Sequence, residues 1–487
     1  GMGIFGFLSD SDKRRFHPVH KSIVREFNKI RNEDKSHRLC HAPFKSMTFM
    51  HTGAMQVCWY NKLFPLGHYP ENNLQEIWFS ERSKKLRDFI KHNDLSYGCV
   101  DCRKNINEKN FFNVGAWRYD FLPESDNDYP ASIDFQISNA CNLQCIMCNG
   151  EYSATVRTQR ENKQPYKSQY DDDFFRQILP FIPHLREASF SGGEPFFAKE
   201  FSRVWDLMIE HNPAIRCSVS TNGTIFNQKT EYYLESLAFN IAFSLDAIDQ
   251  ETYCRIRINA NYDNVMAHLE KFYQYTLRKN TDFTVKMCAL QQNWHDIPNL
   301  TRFVDERDML FLFNTVFYPP YSAIWSMRSE KIEEVINHLK KFTLKGGSYV
   351  QNQNATCYQD LIRQIEGWKR DADIREQEGF YQKGIEELKD IFLTKVQNYI
   401  EEELKYLGKD CPVNMRLIEE LVDNLIREAP NSDVALKGMQ FYASARVERW
   451  LSEIVARTYE KNLDRFLQIG LHRPPEKSGM ASCTPNI

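Results

Sequence analysis

At its N-terminus the sequence lacks any segment suited to a membrane or an export pathway. After Met2, the stretch GMGIFGFLSDSDKRRF offers an apolar run of only six residues, too short for a signal-peptide core or a bilayer span. Gly1 reads as a tag residue ahead of the initiator Met. Long blocks of like charge are also missing: 62 Lys and Arg stand against 65 Asp and Glu, a net charge of −3, which removes the electrostatic case for a nucleic-acid partner. No internal repeat and no long low-complexity run is present. Thirteen cysteines without an export signal exclude a disulfide framework and predict reduced thiols in a cytoplasmic protein, some of them metal ligands. A chain of 487 residues, 42% hydrophobic, exceeds what one core organises, so two or three domains are expected.

Seven of the cysteines form two groups at ligand-like spacing: Cys40, Cys58, Cys99 and Cys102, then Cys141, Cys145 and Cys148. The remaining six are isolated. Cys217 and Cys288 lie in the strand-like stretches IRCSVS and FTVKMCAL, where a thiol is expected as a small core hydrophobe, and Cys483 is expected exposed in the tail SGMASCTPNI.

The second group, in ISNACNLQCIMCNG, has the spacing Cys-x3-Cys-x2-Cys. A closed zinc site needs four ligands, and no fourth Cys or His stands nearby at a matching interval. A four-iron cubane has four corners, so three thiolates leave one iron open to a substrate or cofactor. Downstream, EASFSGGEPFFAKE reads as a strand end, two glycines that let the backbone approach a ligand, and Glu194, which can accept from an ammonium. CSVSTNGTIF and NIAFSLDAID are further apolar strands ending in small polar residues, as in barrels that build a site at the carboxyl ends of their strands.

Taken in order, the cysteine trio, SGGEP, STNGT and FSLD resemble the radical S-adenosylmethionine (radical SAM) superfamily over roughly residues 130 to 320. The resemblance implies a four-iron, four-sulfur cluster on Cys141, Cys145 and Cys148 whose open iron is chelated by S-adenosylmethionine. It implies reductive cleavage of that cofactor to a 5'-deoxyadenosyl radical, which abstracts a substrate hydrogen. Carried over by position, Gly192, Gly193 and Glu194 would meet the methionine amino group. Ser220, Thr221, Asn222, Ser244 and Asp246 would supply ribose or carboxylate contacts, Arg257 would face the cofactor carboxylate, and Met147 would lie against adenine. Asn293 matches a recurrent Asn near the fifth strand. For Arg257 the alternative is a solvated charge on a helix face.

Six strand-like segments, Ser132 to Ser138, Glu187 to Gly192, Ile215 to Thr221, Asn240 to Asp246, Asp282 to Leu290 and Leu310 to Pro319, alternate with helix-like ones. Apolar runs such as IAFSL and LFLFNTVF predict strands buried on both faces, with crossover helices between them. The expected class is α/β, a partial (β/α)6 TIM-like barrel with a small N-terminal α+β cluster-binding module and a C-terminal helical region.

In the first cysteine group, KSMTFM and AMQVCW flank HTG as a hairpin would, and YGCVDC in a following loop completes four ligands for a zinc ion or a cluster. NNLQEIW leads into a helix. This stretch resembles the SPASM and shorter twitch modules that accompany radical SAM enzymes, and its cysteine count implies one auxiliary four-iron, four-sulfur cluster, placed ahead of the barrel rather than after it. Such a cluster would take up or relay an electron, or staple a small domain.

Beyond the barrel, Ile385, Leu388, Phe392, Val396 and Ile400 recur at helical spacing, as do Leu417, Leu421 and Leu425 after Asn414 as N-cap. One long helix is expected from Asp433 to Leu467, with Trp450, Leu451, Ile454 and Val455 in its seam. The expected organisation is a helical segment 1–35, the twitch/SPASM-like module 36–125, the barrel 126–348, the helical region 349–470 and a flexible tail 471–487. Function is expected to be that of a radical SAM oxidoreductase acting on a peptide or protein side chain. The alternatives are a twitch-type dehydrogenase of a small alcohol or amino sugar, and a non-enzymatic iron-sulfur electron carrier or redox sensor. A peptide or small-molecule substrate and an external one-electron reductant of flavodoxin or ferredoxin type are the expected partners, with neither nucleic acid nor membrane.

Overall fold

The computed structural model describes residues 16–31, 37–125 and 128–471. The N-terminal tag reading, Cys483 and residues 472–487 of the tail lie outside them. The described residues divide into two compact units: 16–31, 37–49, 53–125, 128–133 and 383–471 form the first, and 50–52 with 134–382 form the second. No described helix is long and apolar enough to cross a membrane.

In the first unit, β1 (Ser46–Met50) and β2 (Ala54–Gln56) pair antiparallel across a turn in which Gly53 adopts φ 89°, and β3 (Gly67–His68) adds to β2. NNLQEIW becomes the helix Leu74–Trp78, capped reciprocally by Asn73 and Glu76. Ser80 caps the next helix, Glu81–Lys91. The stretch read as a loop around YGCVDC is partly helical, because Cys99 is the N-cap of the helix Val100–Asn107.

The expected helical region 349–470 is divided between the units. The 29-residue helix Tyr349–Gln377 belongs to the second, and the helices from Ile385 onward belong to the first. In Ile385–Tyr399, Leu388, Phe392 and Val396 are buried along the predicted stripe. Asn414 caps Met415–Glu428 as read, but the buried stripe is Ile418, Val422 and Leu425, and Leu417 is 59% exposed. The single helix expected from Asp433 is three: Ser432–Ser444, Val447–Ala456 and Tyr459–Leu471, broken where Ala445 and Arg457 are extended. The breaks fold the segment back so that Phe392, Phe441, Tyr442, Trp450 and Phe466 meet ring against ring, with centroids 4.7–5.4 Å apart.

The second unit begins in β4 (Ser132–Gln136) and continues through β5 (Glu187–Phe190), β6 (Arg216–Thr221), β7 (Ala238–Ser244), β8 (Phe283–Ala289) and β9 (Leu310–Thr315), neighbours in that order. β5 to β9 pair in parallel. Connecting helices start at side-chain caps from Asp171, Asn227, Asp249 and Asn261. This is an α/β sheet of six strands with crossover helices, each strand within a few residues of its predicted place.

The strands are not apolar on both faces. In β6 to β8, Cys217, Val219, Phe239, Ile241, Phe243, Val285 and Met287 are buried on one side. There the rings of Trp205 and Phe272, from helices Lys199–His211 and Tyr262–Lys279, meet Phe239 and Phe243. The alternate positions, Ser218, Ser220, Asn240, Ser244, Thr284, Lys286 and Cys288, are half-buried and form a polar face. Cys217 is in the apolar core as expected; Cys288 is not. β9 departs further: as the last strand of the series it leaves Leu312 49% exposed.

Candidate functional site

The loop that follows β4 carries Cys141, Cys145 and Cys148, and its backbone is held from outside. Asn139 O accepts from Ala154 N at 2.8 Å, Leu143 O from Ser153 Oγ at 2.8 Å, and Cys141 O from Thr155 Oγ1. Gln144 N and Ile146 N donate to the carbonyls of Ile258 and Ile256 at 3.0 and 2.9 Å, and Tyr321 Oη donates to Ile146 O at 2.5 Å. The guanidinium of Arg160, ending the π-turn Val156–Arg160, reaches Gln144 O at 3.2 Å, Cys145 O at 3.3 Å and Cys148 O at 2.6 Å. With the carbonyls satisfied elsewhere, the sulfurs are the loop's uncommitted ligands.

Burial pushes all three thiols up, Cys148 to about 12; repulsion from Cys145 adds to this at Cys141 and Cys148, and the Asp246 carboxylate adds to it at Cys145. Arg257 and Arg160 act in the opposite sense on Cys145 and Cys148. Clustered thiols in a low dielectric are poor acids alone, and a bound cationic centre reverses this by replacing their protons. The donor set therefore fits an iron-sulfur cluster. One further feature supports the fit: the Nε–H of Arg160 is buried and has no acceptor among the described residues.

The SGGEP turn closes over this loop. Gly192 and Gly193 have φ 83° and 53°, and a Cβ on Gly193 would lie 2.4 Å from Ala140 O, so only glycine fits there. Glu194 N donates to Ala140 O at 2.8 Å. The Glu194 carboxylate, 0% exposed, accepts from Thr221 Oγ1 (2.8 Å), Asn222 N (2.7 Å) and Phe196 N (3.2 Å). Burial raises it to about 7 despite those donors. Asn222 Nδ2 donates to Asn142 Oδ1 at 3.0 Å and lies 3.9 Å from Cys141 Sγ, joining the end of β6 to the thiol loop.

Arg257, the C-cap of the helix Gln250–Ile256, is buried and its Nε donates at 2.7 Å to Oδ2 of Asp246, just past β7, which overturns the reading of a solvated helix charge. Cys288 N donates to Asp246 Oδ1 at 2.8 Å. Asn293, fully buried, donates to Asp246 O (2.7 Å) and Cys288 O (2.8 Å) and so braces β7 against β8. Thr221 and Asp246 thus use their side chains on internal partners, where the resemblance had given them ligand contacts. Ser220 accepts from Lys286 Nζ at 3.3 Å; Ser244 at the end of β7 and Met147 in the loop are half-buried.

Arg160 and Lys286 were not among the residues singled out from sequence. Lys286 was discoverable, because FTVKMCA alternates polar and apolar residues with period two. Arg160 stands twelve residues past Cys148 in a polar stretch that carries no motif.

In the first unit, Cys40, Cys58, Cys99 and Cys102 line one small cavity with Tyr60, Asn61 and Ala116 among its other walls. N–H groups are directed at these sulfurs: Ala42 N lies 3.4 Å from Cys40 Sγ, Asn61 Nδ2 lies 3.7 Å from Cys99 Sγ, and the amides of Asn61 and Ala116 bond Cys58 and Cys102. Burial dominates here too, holding Cys40 and Cys99 well above the usual thiol range and Cys102 at about 12. Gly98 adopts φ 82° and leaves room for Asn61, whose Oδ1 would lie 2.2 Å from an added Cβ. Among the described residues no three Cys, His, Asp or Glu side chains gather as ligands of a single ion. Four thiols around a cavity fit a cluster better than one zinc.

A family model for the radical SAM superfamily matches residues 135–304, and one for an iron-sulfur cluster-binding domain, SPASM, matches residues 40–103. Curated relatives include a probable GTP 3',8-cyclase of Methanocaldococcus jannaschii, 22% identical over 43% of this chain and 66% of that protein. A GTP 3',8-cyclase of Chlorobaculum tepidum is 23% identical over 41% and 58%. The chain thus spans two thirds or less of the length of these relatives. Among solved structures, anSMEcpe with bound AdoMet matches at 17% identity and a TM-score of 0.32 over 44% of this chain and 60% of that one. Streptococcus suis SuiB bound to the precursor peptide SuiA matches at 15% and 0.32 over 44% and 46%. The chain carries a radical SAM domain over residues 135–304, with a SPASM iron-sulfur cluster-binding domain over residues 40–103, N-terminal to it.

Proposed function

We propose that the chain is a radical SAM oxidoreductase that binds S-adenosylmethionine and a four-iron, four-sulfur cluster at the Cys141 loop and oxidises a peptide or protein side chain. A second cluster on Cys40, Cys58, Cys99 and Cys102 would take up or relay an electron, and an external one-electron reductant of flavodoxin or ferredoxin type in the cytoplasm would supply the first. The observation that carries this reading is the meeting of the three-thiol loop with Glu194, Asn222 and the Arg257–Asp246 pair at the strand ends. A cluster held by Cys141, Cys145 and Cys148 would supply the one-electron reduction of S-adenosylmethionine from which a 5'-deoxyadenosyl radical for hydrogen abstraction would come.

The chain's own part is to bind and orient. Glu194 has about four acceptor positions, of which three are used, leaving one for the methionine ammonium beside the half-buried Gly192 and Gly193. Arg257, fixed by Asp246, has N–H groups left for the cofactor carboxylate. Ser220, Asn222 and Ser244 would meet the ribose, and Met147 would cover the adenine. Asp246 and Thr221 position their neighbours.

For the substrate, the exposed Leu312 and Asn314 keep the polar face open along β9, which suits an extended peptide. The hydroxyl and amide groups of Ser218, Ser220 and Asn240 on the same face favour, as the second reading, a small alcohol or amino sugar. In anaerobic protein with dithionite and S-adenosylmethionine, 5'-deoxyadenosine is expected from wild type and from Cys99→Ala/Cys102→Ala, and none from Cys141→Ala/Cys145→Ala/Cys148→Ala. Wild type that releases no 5'-deoxyadenosine would sink the enzyme reading and favour an electron carrier or redox sensor.

A further inference from the structure

Arg160 brings a second cation to the thiol loop, beside Arg257. It stands outside every motif, yet its guanidinium bonds three carbonyls of the thiol loop, two of them belonging to the ligand residues Cys145 and Cys148. Its partners are neutral carbonyls, and among the described residues no carboxylate lies within ion-pair distance of it. By contrast Arg257, the other cation acting on Cys145, is neutralised by Asp246 at 2.7 Å. One N–H of Arg160 remains buried with no protein acceptor. A half-buried cation with no counter-ion and a buried spare donor is costly unless something anionic completes it.

We propose that Arg160 is a positioning and potential-setting residue for the cluster of the Cys141 loop, its uncompensated charge stabilising the reduced cluster. This rests on the cluster assignment proposed above. Three thiolates give the cluster unit a net negative charge, and reduction by one electron from an external reductant makes it more negative. A fixed positive charge in a site of low dielectric favours the more negative state, so it raises the midpoint potential. The guanidinium fork serves this because it ties the charge to the backbone of the ligands themselves, and because it stays charged when buried.

The test compares Arg160→Gln with Arg160→Lys in reconstituted full-length protein. Iron per chain is measured, together with a redox titration of the paramagnetic signal that responds to added S-adenosylmethionine, which marks the Cys141 cluster. Arg160→Gln is expected to lower the ratio of reduced to oxidised cluster at fixed potential about tenfold, a shift of about 59 mV for a one-electron couple. Arg160→Lys, which keeps the charge, is expected to remain close to wild type. Should Arg160→Gln lose the loop's iron altogether, retention of that iron by Arg160→Lys supports the same role. An unchanged midpoint in iron-replete Arg160→Gln, or equal effects of Gln and Lys, would overturn the proposal. Its failure is separable from that of the cluster assignment, which falls only if wild type and Cys141→Ala/Cys145→Ala/Cys148→Ala carry the same iron.

Discussion

Asp246 and Arg257 show how a side chain can matter to a ligand without touching it. Each carboxylate oxygen of Asp246 has a protein partner, Arg257 Nε at 2.7 Å and Cys288 N at 2.8 Å, so its contribution is to hold Arg257 charged and aimed. Burial opposes the Arg257 charge, and the Asp246 carboxylate restores it. Removing either partner leaves the other buried and unpaired. Arg257→Met or Asp246→Asn in metal-free protein is therefore expected to cost about 3 kcal/mol or more in urea unfolding. The double substitution should lose clearly less than the sum, and strictly additive losses would contradict the pair. At this scale the sequence was informative where a motif fixed the position, as for Glu194, Asn222 and Arg257. It was silent on Arg160, because hydrogen bonds to backbone carbonyls impose no residue pattern on the segment that receives them.

Among the elements, strand positions were legible because apolar alternation and small polar ends mark them, and the cap Asn414 was legible because its chemistry is local. The two-sidedness of the strands was not: IAFSL reads as continuously apolar, yet Ala242 and Ser244 share the polar face, and a small residue does not announce which face it serves. The helix Val447–Ala456 shows the same limit for charges. Its Glu453 is buried, and burial alone would raise its carboxyl. Lys62 first, then Arg457, Arg449 and Arg465, overcome that and bring it down to about 2. A depressed native pKa contributes stability that is complete above the ordinary value of 4.5 and is lost as pH falls from there through about 2. At about 1.4 kcal/mol per unit this is roughly 3 kcal/mol. Acid unfolding of the metal-free protein should therefore flatten in Glu453→Gln across that window, and parallel curves for the two proteins would contradict the assignment.

At the scale of the whole molecule, each unit surrounds its own thiol centre. The first is assembled from distant parts of the chain: Lys62 meets Glu453 across 391 residues, Arg103 meets Glu403 across 300, and Lys104, two residues past Cys102, meets Glu448. Such pairs join the cysteine-bearing segment to helices that, by composition alone, read as an appendage of the barrel, and no local pattern predicts them. The second unit is built from one continuous stretch apart from residues 50–52, and its motifs follow in strand order, so its site could be read from sequence. The most direct measurement is electron paramagnetic resonance of the reduced, anaerobically reconstituted protein with and without S-adenosylmethionine. The expected result is two signals. One shifts on addition of the cofactor and is absent from Cys141→Ala/Cys145→Ala/Cys148→Ala, and the other is indifferent to it and is lost in Cys99→Ala/Cys102→Ala. A spectrum that S-adenosylmethionine leaves unchanged would contradict an open iron on the three-cysteine loop.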